Sequence, residues 1–223
     1  MTVTEILAAI RRQTLVTSTT GDLSDADLTE IFEEGYNIVS ATHRWPWLEA
    51  SANLDVTAAT VAVTLPTGFA FMRAIVRNGK SYSLQEIPQD KYLHLVGDNP
   101  TTSTDARFFY ITNTTVGFYP TPSATEVGAY ICFYYKNPTI PTGASSPEWA
   151  SQFHHILVDY GSYRVWEREE YFDESQNAYG RFVRGLKDMI RFYNMRSMEG
   201  QLIYGDGEGF FWDSRNHLNI WNL

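Results

Sequence analysis

Apolar positions along the chain change period more than once, and the changes divide it into parts. Ile6, Leu7 and Ile10 recur at helical spacing and predict a short first helix within Glu5 to Arg12. Thr17-Ser18-Thr19-Thr20-Gly21-Asp22 reads as a loop. Ser24 is a favourable N-cap for a second helix, with Asp27 completing a box-like arrangement and Leu23 and Leu28 placed as a hydrophobic staple. Leu28, Ile31, Phe32, Ile38 and Val39 form its apolar face, and Pro46 predicts a stop near His43 or Arg44.

From Ser51 the period becomes two. Leu54 and Val56, then Val61, Val63 and Leu65, predict a hairpin turning at Ala58-Ala59. Phe71 to Arg77 is a third strand, and Asn78-Gly79 predicts a tight return along Ser81 to Ile87. Gln89 to Leu95 reads as a helical turn; Arg107–Thr112, Thr115–Tyr119 and Val127–Lys136 read as three more strands. Pro138 to Ser146 is a linker. Ser146 and Pro147 predict the cap and first position of a third helix, faced by Trp149, Phe153, Ile156, Leu157 and Tyr160. Asp173 and Gln176 predict the start of a fourth, faced by Tyr179, Phe182, Val183, Leu186, Ile190 and Tyr193. A short turn at Phe172-Asp173 implies an antiparallel pair, each helix roughly 20 residues long. The expected class is α+β: a four-helix bundle from residues 1–48 and 143–198, an inserted antiparallel β-sandwich or barrel over 49–142, and an extended C-terminal arm over 199–223.

Composition narrows the function. The 223 residues are 43% apolar and 19% charged, enough to bury a core, so the chain is not disordered overall. No run of eighteen apolar residues occurs, and Met1-Thr2-Val3-Thr4-Glu5 lacks the basic region before an apolar stretch that marks a signal peptide. With Cys132 the single cysteine, no internal disulfide forms, which fits synthesis in a reducing cytoplasm. The formal charge of −9 is opposite to that of a protein that grips nucleic acid through phosphates. It suits a surface that DNA slides past, and equally an ordinary acidic protein.

The chain carries no evident catalytic motif. Cys132 lies in an aromatic strand, Ala129-Tyr130-Ile131-Cys132-Phe133-Tyr134, and reads as a structural thiol. His154 and His155 are adjacent on a helix and point about 100° apart, so they cannot pair on a metal as an i, i+4 set does. His43, His94 and His217 are isolated. Gly205-Asp206-Gly207-Glu208-Gly209 lacks the lysine of a phosphate loop, and its carboxylates repel phosphate; it reads as a hinge in the arm. No catalytic residue, metal ligand or cofactor site is expected. The fourth helix holds Arg181, Arg184, Lys187, Arg191 and Arg196, with Arg181, Arg184 and Arg191 on one face. That face is either solvated or meets an acidic neighbour, such as a second copy. Phe210, Phe211, Trp212 and Trp221 in the arm are further candidates for contacts with a second chain, and the aromatic β block is read mostly as core.

Several segments, in order, carry a resemblance. They are Asp22-Leu23-Ser24-Asp25-Ala26-Asp27-Leu28, Trp45-Pro46-Trp47-Leu48-Glu49-Ala50, Leu65-Pro66-Thr67-Gly68-Phe69, Gly117-Phe118-Tyr119-Pro120-Thr121-Pro122, and Pro147-Glu148-Trp149 through Tyr171-Phe172-Asp173-Glu174. Together they resemble the head–tail adaptor proteins of tailed bacteriophages, a family similar to the gatekeeper and tubular tail proteins of short-tailed phages. The resemblance covers about Thr4 to Arg196 and leaves the arm unmatched. It implies a structural, non-enzymatic ring of twelve copies at the head–tail junction of the virion. Its implied partners are copies of itself, the portal protein and a downstream tail or nozzle protein, with DNA passing through the lumen without specific binding and no membrane involved. A receptor- or carbohydrate-binding module on the aromatic β block is the rival reading.

Overall fold

The computed structural model describes residues 1–15, 23–56, 62–80, 82–98, 102–103, 105–122 and 126–202. In chain order the elements are α1 (Val3–Thr14), α2 (Asp25–Thr42), a 3-10 turn (Pro46–Leu48), β1 (Glu49–Val56), β2 (Ala62–Thr64), β3 (Phe69–Arg77), β4 (Gln85–Glu86), α3 (Gln89–Asp98), β5 (Thr102–Ser103), β6 (Phe108–Thr112), β7 (Thr115–Tyr119), β8 (Thr121–Pro122), β9 (Glu126–Lys136), a second 3-10 turn (Ser151–Phe153), α4 (His155–Arg168) and α5 (Phe172–Leu202). The chain is mixed α+β. The C-terminal segment 203–223, with Gly205-Asp206-Gly207-Glu208-Gly209 and Phe210, Phe211, Trp212 and Trp221, lies outside the described residues.

The two N-terminal helices start as their sequence dictates. Thr2 caps α1 by accepting from the Glu5 N–H, and the Glu5 carboxylate returns to the Thr2 N–H at 2.9 Å. Ser24 and Asp27 repeat the reciprocal box at α2, where the Asp27 N–H donates to the Ser24 hydroxyl at 3.2 Å. Leu23 and Leu28 are both buried beside this cap. α2 ends at Thr42, and Trp45, fully buried, donates its indole N–H back to the Val39 carbonyl at 2.7 Å.

Four helices share one core. Ile6 and Ile10 of α1, Phe32, Tyr36 and Val39 of α2, Ile156, Leu157 and Tyr160 of α4, and Phe182, Leu186 and Met189 of α5 are buried together with Trp45 and Trp149. α4 is the centre, buried continuously from Ile156 to Ser162. Its neighbours approach closely through glycines. A Cβ at Gly35 of α2 would stand 2.5 Å from the Tyr160 ring, and one at Gly161 would stand 2.3 Å from Ile10 of α1.

The strands form a three-stranded antiparallel sheet in the order β1-β9-β3, a four-stranded sheet in the order β2-β7-β6-β4, and the parallel pair β5-β8. The two larger sheets contribute side chains to one core: Leu54, Ile75, Tyr130 and Cys132 from the first, Phe109, Val116 and Phe118 from the second. Tyr92 of α3 packs against Tyr110 of β6 in a smaller cluster.

Several sequence expectations are corrected. The strand orders are open, so the described residues close no barrel, and β4 runs parallel to β6. Among the described residues β1 does not pair with β2; it pairs with β9 from Glu49↔Tyr135 to Leu54↔Tyr130, while β2 pairs with β7, and the expected turn at Ala58-Ala59 lies outside the described residues. The turn at Asn78-Gly79 forms, with Gly79 at φ +77° and Lys80 N–H on the Arg77 carbonyl. The returning chain makes a bridge between Val76 and Ser83, then joins β6 in the other sheet as β4, with Leu84 buried in the core the two sheets share and Ile87 in the smaller cluster. The expected turn after Gln89 is a ten-residue helix. Ser146-Pro147 does not start α4. Ser145 and Gly143 carbonyls are occupied by the Val3 and Thr4 N–H groups of α1, and Trp149 is drawn into the core, so helix begins only at His155. α5 starts at Phe172, placing Asp173 in the first turn rather than at the cap, and continues past the expected end to Leu202.

Hydrogen bonds from Ser24, from its side chain first and then its backbone, together with Arg168, hold the Asp27 carboxyl down from 3.8 to about 2. A depressed carboxyl stabilises the fold above its unfolded pKa, and the stabilisation is lost as pH falls through the folded value. Asp27→Asn is expected to flatten the fall in melting temperature between pH 3.8 and about 2, relative to wild type. Ser24→Ala is expected to cost about 1 kcal/mol by urea unfolding at neutral pH.

Candidate functional site

Of the side chains that most resemble catalytic groups, Cys132 and His154 are buried in the cores. Cys132 is fully buried in β9, its thiol donates to the Ala52 carbonyl at 3.3 Å, and burial pushes its pKa up, away from the thiolate. His154 is buried, with Nε2 3.1 Å from the Trp149 carbonyl and Nδ1 2.8 Å from the Met1 amine. These partners suit a neutral ring that donates from Nε2 and accepts at Nδ1. Burial holds its pKa below the ordinary 6.5, and the Met1 charge acts in the same direction. His155 is exposed and bonds the Gln152 carbonyl, so the two histidines part company as their spacing requires. Among the described residues no group of three or more His, Cys, Asp or Glu could hold a metal ion.

The distinctive surfaces are charged helix faces. Arg181 sits at the α5–α4 boundary, where its Nε donates to Asp159 at 2.8 Å; the Asp159 side chain is 12% exposed. Arg184 and Arg191 lie further round α5 and are exposed. Arg184 Nε donates to the Gly180 carbonyl of its own helix, and Arg191 stands 3.9 Å from Asp188. The sequence-predicted arginines are thus on one helix but do not act alike. Arg181 is tied into the chain, while Arg184 and Arg191 face outward beside exposed Lys187.

A second face was not singled out in the sequence. Asp27, Glu30, Ile31 and Glu34 of α2 and Arg164, Glu167 and Arg168 of α4 line an open groove of about 330 Å³. Arg164 spans it, 3.2 Å from Glu34 and 2.6 Å from Glu167, and Arg168 reaches Asp27 at 3.3 Å. The i, i+3 and i, i+4 spacing of carboxylates in a helix without lysine or arginine was the available signal. A smaller recess of about 210 Å³ lies on the outer face of the β1-β9-β3 sheet, where Arg73 and Glu49 pair at 2.8 Å beside half-exposed Phe133. Of the β-block aromatics, Phe109, Tyr110, Phe118, Tyr119, Tyr130 and Tyr134 are buried, as a core reading requires. No helix among the described residues is long and apolar enough to cross a membrane.

A family model described as SU10 adaptor protein matches residues 1–202. The chain therefore belongs to the SU10 adaptor protein family, a family of phage head–tail adaptors. A search of curated proteins finds no match to it. The matched span ends where the described residues end, so residues 203–223 lie outside both.

Two outcomes separate packing roles from surface roles. Arg181→Ala leaves the buried Asp159 carboxylate unpaired and is expected to destabilise the chain by about 1–3 kcal/mol in urea unfolding. Arg184→Ala and Arg191→Ala are expected to stay within about 0.5 kcal/mol of wild type. For His154 the sign follows from its lowered pKa: the folded chain resists protonation, so stability is full above the ordinary 6.5 and falls as pH drops below it. Thermal melts across that range are expected to show this loss, and His154→Gln to lessen the dependence.

Proposed function

We propose that the protein is a structural head–tail adaptor of a bacteriophage, acting in the virion without catalysis. The family match over residues 1–202 is the observation that carries this reading. In it, twelve copies close a ring between the portal protein and a downstream tail or nozzle protein, and DNA passes through the lumen. The formal charge of −9 per chain supports passage without binding, because a surface of that sign repels phosphate. The helical residues 1–48 and 143–198 serve as one bundle, and the strands of 49–142 as an inserted two-layer sandwich. Residues beyond Leu202, with Phe210, Phe211, Trp212 and Trp221, serve as an arm that contacts a neighbouring copy or the portal.

A receptor- or carbohydrate-binding role has one observation in its favour: Phe71 and Phe133 are 65% and 39% exposed on the three-stranded sheet. A glycan array separates the two, since an adaptor gives no ligand.

Imaging of virions, or of the chain co-expressed with its portal, is expected to show the protein as a ring under the portal at ring stoichiometry. Location dispersed over the capsid, or at the tail tip, would overturn the proposal.

A further inference from the structure

Two helix faces carry opposite charges that one molecule leaves unmatched. α2 holds Asp25, Asp27, Glu30, Glu33 and Glu34 and no basic residue. Asp27, Glu30, Ile31, Glu34 and Ile38 follow helical spacing along one side. The groove they form with α4 sets four carboxylates against the guanidiniums of Arg164 and Arg168, an excess of two negative charges. Glu30 is exposed and has no ion-pair partner among the described residues. On α5 the reverse holds. Arg184 and Lys187 are exposed and meet no carboxylate among the described residues, and Arg191 is 81% exposed. Each face also bears an exposed apolar side chain, Ile38 on α2 and Met195 on α5.

The two faces belong to helices that sit at different positions round α4. α2 meets α4 at Arg164, through Glu34, whereas α5 meets it at Asp159, through Arg181. Five residues separate these positions in α4, roughly 140° of turn at about 100° per residue. A two-fold dimer would set each face on itself, acid against acid or base against base. A head-to-tail contact sets each face on its complement, and repetition of that contact generates a ring.

We propose that the α5 face of one copy, through Arg184, Lys187 and Arg191, seats on the acidic α2–α4 groove of the next, with Glu30 opposite the basic side chains. This rests on the ring reading above and gives it a direction: each copy offers α5 on one flank and receives on α2 at the other.

Full-length chain assembled with its portal tests it. Glu30→Cys with Lys187→Cys is expected to crosslink adjacent copies on oxidation into a ladder of multimers, native Cys132 being buried. Arg184→Glu with Lys187→Glu is expected to lower ring occupancy about tenfold while the melting temperature of the free chain is kept; adding Glu30→Lys is expected to recover at least about threefold. A wild-type ring whose cysteine pair does not crosslink overturns the contact and leaves the adaptor reading standing. So does a charge-reversed chain that fills rings as wild type does. A wild-type chain that forms no ring overturns both.

Discussion

Close packing around α4 is the constraint on which the rest of the helical part depends. A helix buried without break from Ile156 to Ser162 has no solvent side there, so its neighbours must come near enough to exclude water on every flank. Gly35 and Gly161 permit that approach, since a Cβ at either would overlap Tyr160 or Ile10. Once α1, α2 and α5 are drawn in, polar groups at their seams need partners. Asp159 takes Arg181, and the Ala150 N–H takes the Tyr193 hydroxyl. The charged outer faces lie beyond these seams.

The same seams explain why arginines a few residues apart in α5 differ. Arg181 faces a carboxylate whose surroundings exclude water, so its pairing belongs to the stability of the chain. One turn further on, Arg184 has left the seam. Its charge costs the fold nearly nothing and is available to whatever approaches from outside. Sequence spacing places both on one face; it does not reveal where a neighbouring helix ends.

Signals that act within a few residues were legible in the sequence. The capping box at Ser24 and Asp27, the staple of Leu23 and Leu28, and the stop before Pro46 all lie where the sequence places them. The family was legible too, from ordered motifs. Signals that compete with distant partners were not. Pro147 is suited to start a helix, but the α1 N-terminus binds the Gly143 and Ser145 carbonyls just before it and Trp149 is buried in the core just after it, and that backbone runs in turns and bends rather than helix. Asn78-Gly79 makes its turn, yet the strand after it goes where Leu84 and Ile87 find burial. β1 finds β9 rather than its sequence neighbour because alternation fixes which face is apolar, not which strand pairs with it. Of the candidate contact residues, the arginines can be placed on α5, and the acidic groove becomes visible only when α2 and α4 lie side by side.

The pairing of β1 with β9 has a mechanical meaning. The chain passes from helices to strands at Glu49 and returns after Lys136, and those two crossings lie side by side in the ladder, Glu49 opposite Tyr135. Arg73 and the Tyr135 hydroxyl both hold Glu49 at this joint, and Lys136 reaches Glu148 across it. A load that pulls the helices away from the strands is thus carried by both crossings at once and resisted by β9 sliding along β3, where many backbone bonds must yield together. Such a joint fastens the strands to the helices through one shared ladder, so neither crossing is a free linker.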